Sequence, residues 1–127
     1  MKYILTLLVI VFVSATSFSQ SNNVTKAEFK FETELINYGK VAKNSNGKRI
    51  FKFTNIGKSP LIITEIKTSC DCAVPKKPSA PIMPGQKGEI TVSYDTSKTG
   101  GFSKMITIFS NAKEKRKRIR IKGFVSK

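Results

Sequence analysis

Apolar and polar residues alternate along most of this chain from Ala27 onward, and a period of two admits strands and little else. In Ala27–Glu32 (AEFKFE), Phe29 and Phe31 fall on one face, because side chains two apart along a strand point the same way. The pattern continues in Leu35–Val41 (LINYGKV), Arg49–Asn55 (RIFKFTN), Leu61–Thr68 (LIITEIKT), Gly88–Asp95 (GEITVSYD), Phe102–Asn111 (FSKMITIFSN) and Lys117–Val125. Phe51 and Phe53 share a face. Ile90, Val92 and Tyr94 point inward with Thr91 and Ser93 outward, and Ile119 and Ile121 point inward with Arg118, Arg120 and Lys122 outward. No segment sustains apolar residues at i, i+3, i+4 and i+7, so no helix is expected.

Turn residues punctuate these runs. Asn46-Gly47 closes the turn that begins at Asn44, and Asn-Gly is the strongest short hairpin signal. Ile56–Pro60 and Lys98–Gly101 are further turns. Between Cys72 and Gly85, Pro75, Pro78, Pro81 and Pro84 recur at three-residue spacing. Proline lacks the N–H that a ladder requires, so this stretch is expected to be extended, largely unpaired and unfit for a central strand. About seven short strands between turns predict an all-β fold, an immunoglobulin-like antiparallel β-sandwich over residues 27–127. The chain has no Trp, so the antibody-type Cys…Trp…Cys core is excluded.

The first residues follow a different plan. Lys2 precedes the apolar run Ile4–Val13 (ILTLLVIVFV), and the small residues of Ser14–Ser19 (SATSFS) follow it. Basic, apolar and small segments in that order predict a signal peptide over residues 1–19, with cleavage after Ser19 or, alternatively, after Ala15. The apolar run is too short for a membrane span, which needs about 20 residues. No Cys stands near either cleavage position, so a lipoprotein anchor has no thiol to attach to. Residues 20–26 form a flexible lead into the domain. The expected destination is the periplasm or the exterior of a bacterium.

Composition narrows the function classes. With no His anywhere in the chain, a Ser-His-Asp triad, a Cys-His dyad and a His-bound zinc are all excluded. No paired carboxylates with a base partner are visible either, and the expectation is a protein without enzymatic activity or cofactor. Twenty-three Lys and Arg against eight Asp and Glu give a formal charge of +15, which favours anionic partners or surfaces.

Several motifs then agree in order with a known family. Phe53-Thr-Asn-Ile-Gly-Lys-Ser-Pro-Leu61 resembles the signature F-x-N-x-G-x-x-P-L. Thr68-Ser-Cys-Asp-Cys72, Pro81-Ile-Met-Pro-Gly85, Gly88-Glu-Ile-Thr-Val92 and Gly101-Phe-Ser-Lys104 follow it. Order and spacing are similar to the bacterial family known as domain of unknown function 1573, from about Phe29 to Val125. The resemblance implies an exported sandwich domain, common in Bacteroidetes-type bacteria, with an architecture like the immunoglobulin-like domains of Hydin and the major sperm protein group. It implies no particular activity. Where the family usually has Cys-Gly-Cys, this chain has Cys70-Asp71-Cys72. A turn that needed positive φ at the middle residue would be strained here.

Cys70 and Cys72 are the only reactive pair. If their segment is extended, both sulfurs share a side and the Cα separation approaches the upper limit of about 7 Å for a disulfide. Three roles fit: a local disulfide or buried pair, a thiol-redox site, or a soft-metal site, with Cu(I) the metal best suited to two thiolates. Lys67, Lys76 and Lys77 are the nearby cations that could favour a thiolate, and Met83 is the nearby thioether.

The second candidate is the basic run Lys113–Lys122 (KEKRKRIRIK). As a strand it sets Arg116, Arg118, Arg120 and Lys122 in a row at about 7 Å spacing, suited to phosphates or sulfates that Arg grips with two hydrogen bonds. The competing expectation is that these charges guard a terminal edge strand and keep the chain soluble. Nucleic acid is disfavoured because no aromatic residues interleave with the cations. The expected role is therefore an exported binding module for another protein or an envelope polyanion, with thiol-redox or Cu(I) handling through Cys70 and Cys72 as the alternative.

Overall fold

The computed structural model describes residues 26–127. The expected signal peptide and all but Lys26 of the 20–26 lead lie outside the described residues. Eight strands follow one another: β1 (Phe29–Phe31), β2 (Leu35–Ala42), β3 (Lys48–Asn55), β4 (Ile63–Thr68), β5 (Ala73–Lys76), β6 (Lys87–Tyr94), β7 (Gly100–Ser110) and β8 (Arg116–Ser126). They form two four-stranded sheets, ordered β1-β3-β6-β5 and β2-β8-β7-β4. No helix occurs among the described residues. The immunoglobulin-like sandwich expected from the alternation is the fold of this chain.

Three features differ from expectation. The proline-rich stretch contributes an eighth strand, β5, with Pro75 opposite Val92 on β6. It lies at the sheet edge, where only one side of a strand needs ladder partners and a proline is tolerated. The Asn46-Gly47 turn does not make a hairpin, because β2 and β3 belong to different sheets. Non-local bonds fix it as a crossover: Gly47 O accepts from Tyr38 Oη at 2.7 Å and from Tyr94 N at 3.0 Å. Finally, β2 pairs with β8 in parallel, with a register shift between Asn37 and Lys40. Gly39 in that bulge has φ of 66°, a conformation glycine adopts without steric cost.

The inward positions match the alternation. Phe51, Ile90, Val92, Ile106, Ile108, Ile119, Ile121 and Val125 are buried between the sheets, each contributing roughly 1.5–3 kcal/mol of transfer free energy. An aromatic cluster closes each end of this aliphatic centre. Phe29, Phe31 and Phe53 meet at centroid distances of 5.1–5.4 Å. At the opposite end Tyr94 stacks on Phe102 at 3.7 Å, and Tyr38 meets Phe102 edge-on at 5.3 Å.

Among the described residues Asn55 is the one polar side chain with no exposed surface, and all its hydrogen-bonding capacity is used. Its Oδ1 accepts from Glu28 N at 3.2 Å and Gly57 N at 3.0 Å, and its Nδ2 donates to Ser59 O at 2.8 Å and Ile82 O at 2.9 Å. The backbone does the same, with Asn55 N donating to Gln86 O and Gly85 N donating to Asn55 O. One residue thus ties the start of β1, the β3–β4 turn and the β5–β6 loop together. Gly57 completes the junction, since a Cβ there would lie 2.1 Å from Lys26 O. The signature from Phe53 to Leu61 is therefore a structural clasp: Phe53 and Leu61 fill the core on either side of it.

Two outcomes test this account. Asn55→Ala strands the Glu28 and Gly57 N–H groups and the Ser59 carbonyl, while Ile82 O keeps its bond from Leu61 N, so urea unfolding should show a loss of about 3 kcal/mol. The second concerns Tyr38 and Tyr94. Burial raises the Tyr38 phenol above its ordinary value despite the Arg49 guanidinium over its ring, and burial, aided by Asp95, raises that of Tyr94. The unfolded chain then releases these protons first. Their stabilisation is complete below about pH 10 and is lost as pH rises through the folded values. Thermal melts should fall steeply above about pH 10, and Tyr38→Phe should flatten part of that slope from a lower baseline.

Candidate functional site

Strand β8 carries the densest charge in the molecule, and its alternation separates two environments. Ile119 and Ile121 face the core, while Arg116, Arg118 and Lys122 are exposed and Arg120 is half-buried on the outer face. The four expected cations therefore stand in one row. β7 flanks β8 from Arg116 to Val125, whereas β2 pairs with it only from Arg120 onward, so Arg116 and Arg118 stand on a stretch laddered on one side. The edge-guarding expectation is corrected for Arg120 and Lys122, where a strand paired on both sides has no free ladder groups to protect, but not for Arg116 and Arg118.

Pairing brings neighbours that the local sequence did not point to. Phe109 stands opposite Arg116, Thr107 opposite Arg118, Met105 opposite Arg120 and Ser103 opposite Lys122 on β7. On the other side, Leu35 pairs with Arg120, Asn37 with Lys122 and Lys40 with Phe124. Arg116 and Lys67 each lie 5.6 Å from the Phe109 ring centroid, a cation–π geometry. Arg120 Nη1 donates to Ser103 Oγ at 2.9 Å, which lays its guanidinium along the sheet. Outward positions of β7 were readable from its alternation, but their adjacency to β8 is a long-range fact.

Among the described residues, none of the four row cations takes part in a salt bridge. The exception on β8 is Lys117, which faces the other way and engages both Glu34 and, at 3.5 Å, Glu114. The hydrogen bond that Lys117 donates to the Glu34 carboxylate holds its ammonium pKa above the ordinary value. Glu34 also borders a shallow depression of about 320 Å³ formed with Leu35, Met105, Arg118 and Arg120. The carboxylate that could neutralise the row is thereby occupied elsewhere.

Cys70 and Cys72 lie apart from this face, in the turn between β4 and β5 where the chain crosses sheets. The segment is a turn, not extended, and the Cα atoms are 5.3 Å apart with the sulfurs joined as a disulfide. Asp71 is not among the positive-φ residues, so the turn forms without the family's glycine. Cys72 is 6% exposed. Thr68 Oγ1 donates to Cys70 O at 2.7 Å and to Ala73 O at 3.2 Å, and Asp95 N donates to Cys72 O at 2.8 Å. The neighbours expected from sequence are not gathered here. Met83 belongs to the loop before β6 and Cys72 is bonded beyond its end, so the two flank opposite ends of that strand. Lys67 lies over Phe109, and Lys77 donates to Thr64 O.

A disulfide closing so small a ring restrains the unfolded chain weakly, by about 1.6 kcal/mol in the loop-entropy model. The double variant Cys70→Ala, Cys72→Ala should therefore keep the fold and lose no more than about 2 kcal/mol in urea unfolding.

Several solved structures share this fold. A protein of unknown function from Porphyromonas gingivalis W83 superposes with a TM-score of 0.71 at 16% identity, over 85% of this chain and 51% of that one. This chain thus spans about half of that protein's length. The ASH/PapD-like domain 7 of human CEP192 gives 0.67 at 6% identity, covering 91% and 96% of the two chains. A chain of the CsuC–CsuE chaperone–tip adhesion subunit pre-assembly complex of Acinetobacter baumannii gives 0.56 at 16%, covering 79% and 58%. At such identities the likeness is one of fold. No protein of curated function matches by sequence. The model of the family described as Protein of unknown function (DUF1573) matches residues 29–125, and this chain belongs to that family.

Proposed function

We propose that this chain is an exported, non-enzymatic module that binds an anionic macromolecule through the outer face of the β2-β8-β7-β4 sheet. One observation carries the reading. Arg116, Arg118, Arg120 and Lys122 stand in single file on β8, and among the described residues none of them is paired with a carboxylate. Four like charges held side by side repel one another, and that cost is relieved when a partner neutralises them. The β7 ladder along the whole row, joined by β2 from Arg120 onward, also keeps the row in place before binding, which lowers the ordering cost. Export rests on the basic, apolar and small segments of residues 1–19. The lack of any His supports a binding role over hydrolytic chemistry.

The test is binding of the exported protein to an envelope fraction of a bacterium that encodes it. Affinity should fall steeply as salt rises, because exposed charge pairs are screened within about 10 Å at 0.1 M. The variant Arg118→Ala, Arg120→Ala should bind about tenfold more weakly or worse, a loss of about 1.4 kcal/mol. Equal binding by the variant, with its fold intact, would remove this face from the function.

A further inference from the structure

Resting on that reading, we infer that the occupant of the basic face is a linear anionic polysaccharide lying along β8. The shape of the charged patch argues for a chain rather than a globular surface. Arg116 to Lys122 spans seven residues of one strand, about 20 Å at the strand rise, with charges about 7 Å apart. The row itself is one strand wide, with Lys67 of β4 across the Phe109 ring from Arg116 at one end. Thr107 and Ser103 border it on β7, and Asn37 borders it on β2. A narrow track of cations edged by hydroxyl and amide groups matches a polymer that alternates anionic substituents with sugar hydroxyls.

Apolar contacts on the same track point the same way. Arg120 stands between Met105 and Leu35, its partners on either side, and Leu35 is 42% exposed. Phe124 continues the outward line of β8 beyond Lys122 and is 49% exposed. The C–H faces of sugar rings are apolar and pack on such side chains, while the guanidinium groups take the oxyanions with two parallel hydrogen bonds.

Nucleic acid fits this face less well. Single strands are held by aromatic rings on which successive bases stack. Here Phe109 already has Lys67 and Arg116 near its ring, and no ring stands between Arg116 and Lys122. Reading duplex DNA requires an element that enters a groove, whereas these cations stand on the middle of a four-stranded sheet.

The experiment titrates the exported protein with heparin fragments of graded length and, in parallel, with a single-stranded oligonucleotide of similar charge. Heparin affinity should climb with fragment length until the row of about 20 Å is spanned, then level off. Its salt dependence should weaken by about one ion per cation removed in Arg118→Ala and Arg120→Ala. Arg118→Lys keeps the charge and loses the fork, so it should retain the salt slope and lose about three- to tenfold in affinity. If the oligonucleotide binds through the same residues more tightly than any heparin fragment, the polysaccharide assignment falls while the binding face stands. Heparin binding that no row variant weakens would overturn both. Failure of every heparin fragment to bind, with envelope binding still lost in the variants, would overturn the polysaccharide alone.

Discussion

Asn55 is the interaction on which the rest of this sandwich depends. Two packed sheets are joined by segments that must turn through the ends of the core, where backbone groups leave their ladders and still need partners. At one end a single amide side chain supplies those partners for the start of β1, the β3–β4 turn and the β5–β6 loop at once. Buried amides are expensive when partly satisfied and rigidifying when wholly satisfied. The family signature from Phe53 to Leu61 is explained by this clasp. It marks the architecture and is separate from the charged face on the outside.

Most of the interior could be read from alternation alone. Phe51, Phe53, Ile90, Val92, Tyr94, Ile119 and Ile121 are buried as expected, because a period of two decides which face each residue takes. Alternation does not say which strands pair. Asn46-Gly47 therefore looked like a hairpin, although β2 finds its partner in β8, far along the chain. The β5 strand has no signal of its own in the sequence because its proline removes the alternation, while its position at an edge removes the penalty.

The candidate face divides in the same manner. Arg116, Arg118, Arg120 and Lys122 were legible as a row because Ile119 and Ile121 fix the phase of the strand. That the row lies inside a sheet, flanked by Met105, Ser103, Leu35 and Asn37, is decided by pairing and could not be read locally. The thiol pair shows the reverse. Its chemistry was visible, but the turn that lets Asp71 replace glycine depends on how β4 hands the chain to β5.

The parallel pairing of β2 with β8 has a consequence in time. β2 lies at the edge of its sheet and its one ladder neighbour is β8. A chain emerging from its N-terminal side therefore carries an unpartnered β2 until residues 116–126 have also emerged. The sheet closes late, across most of the domain, and contacts so distant in sequence make for slow folding. The strand that holds the charged row is thus also the piece whose arrival completes the sheet.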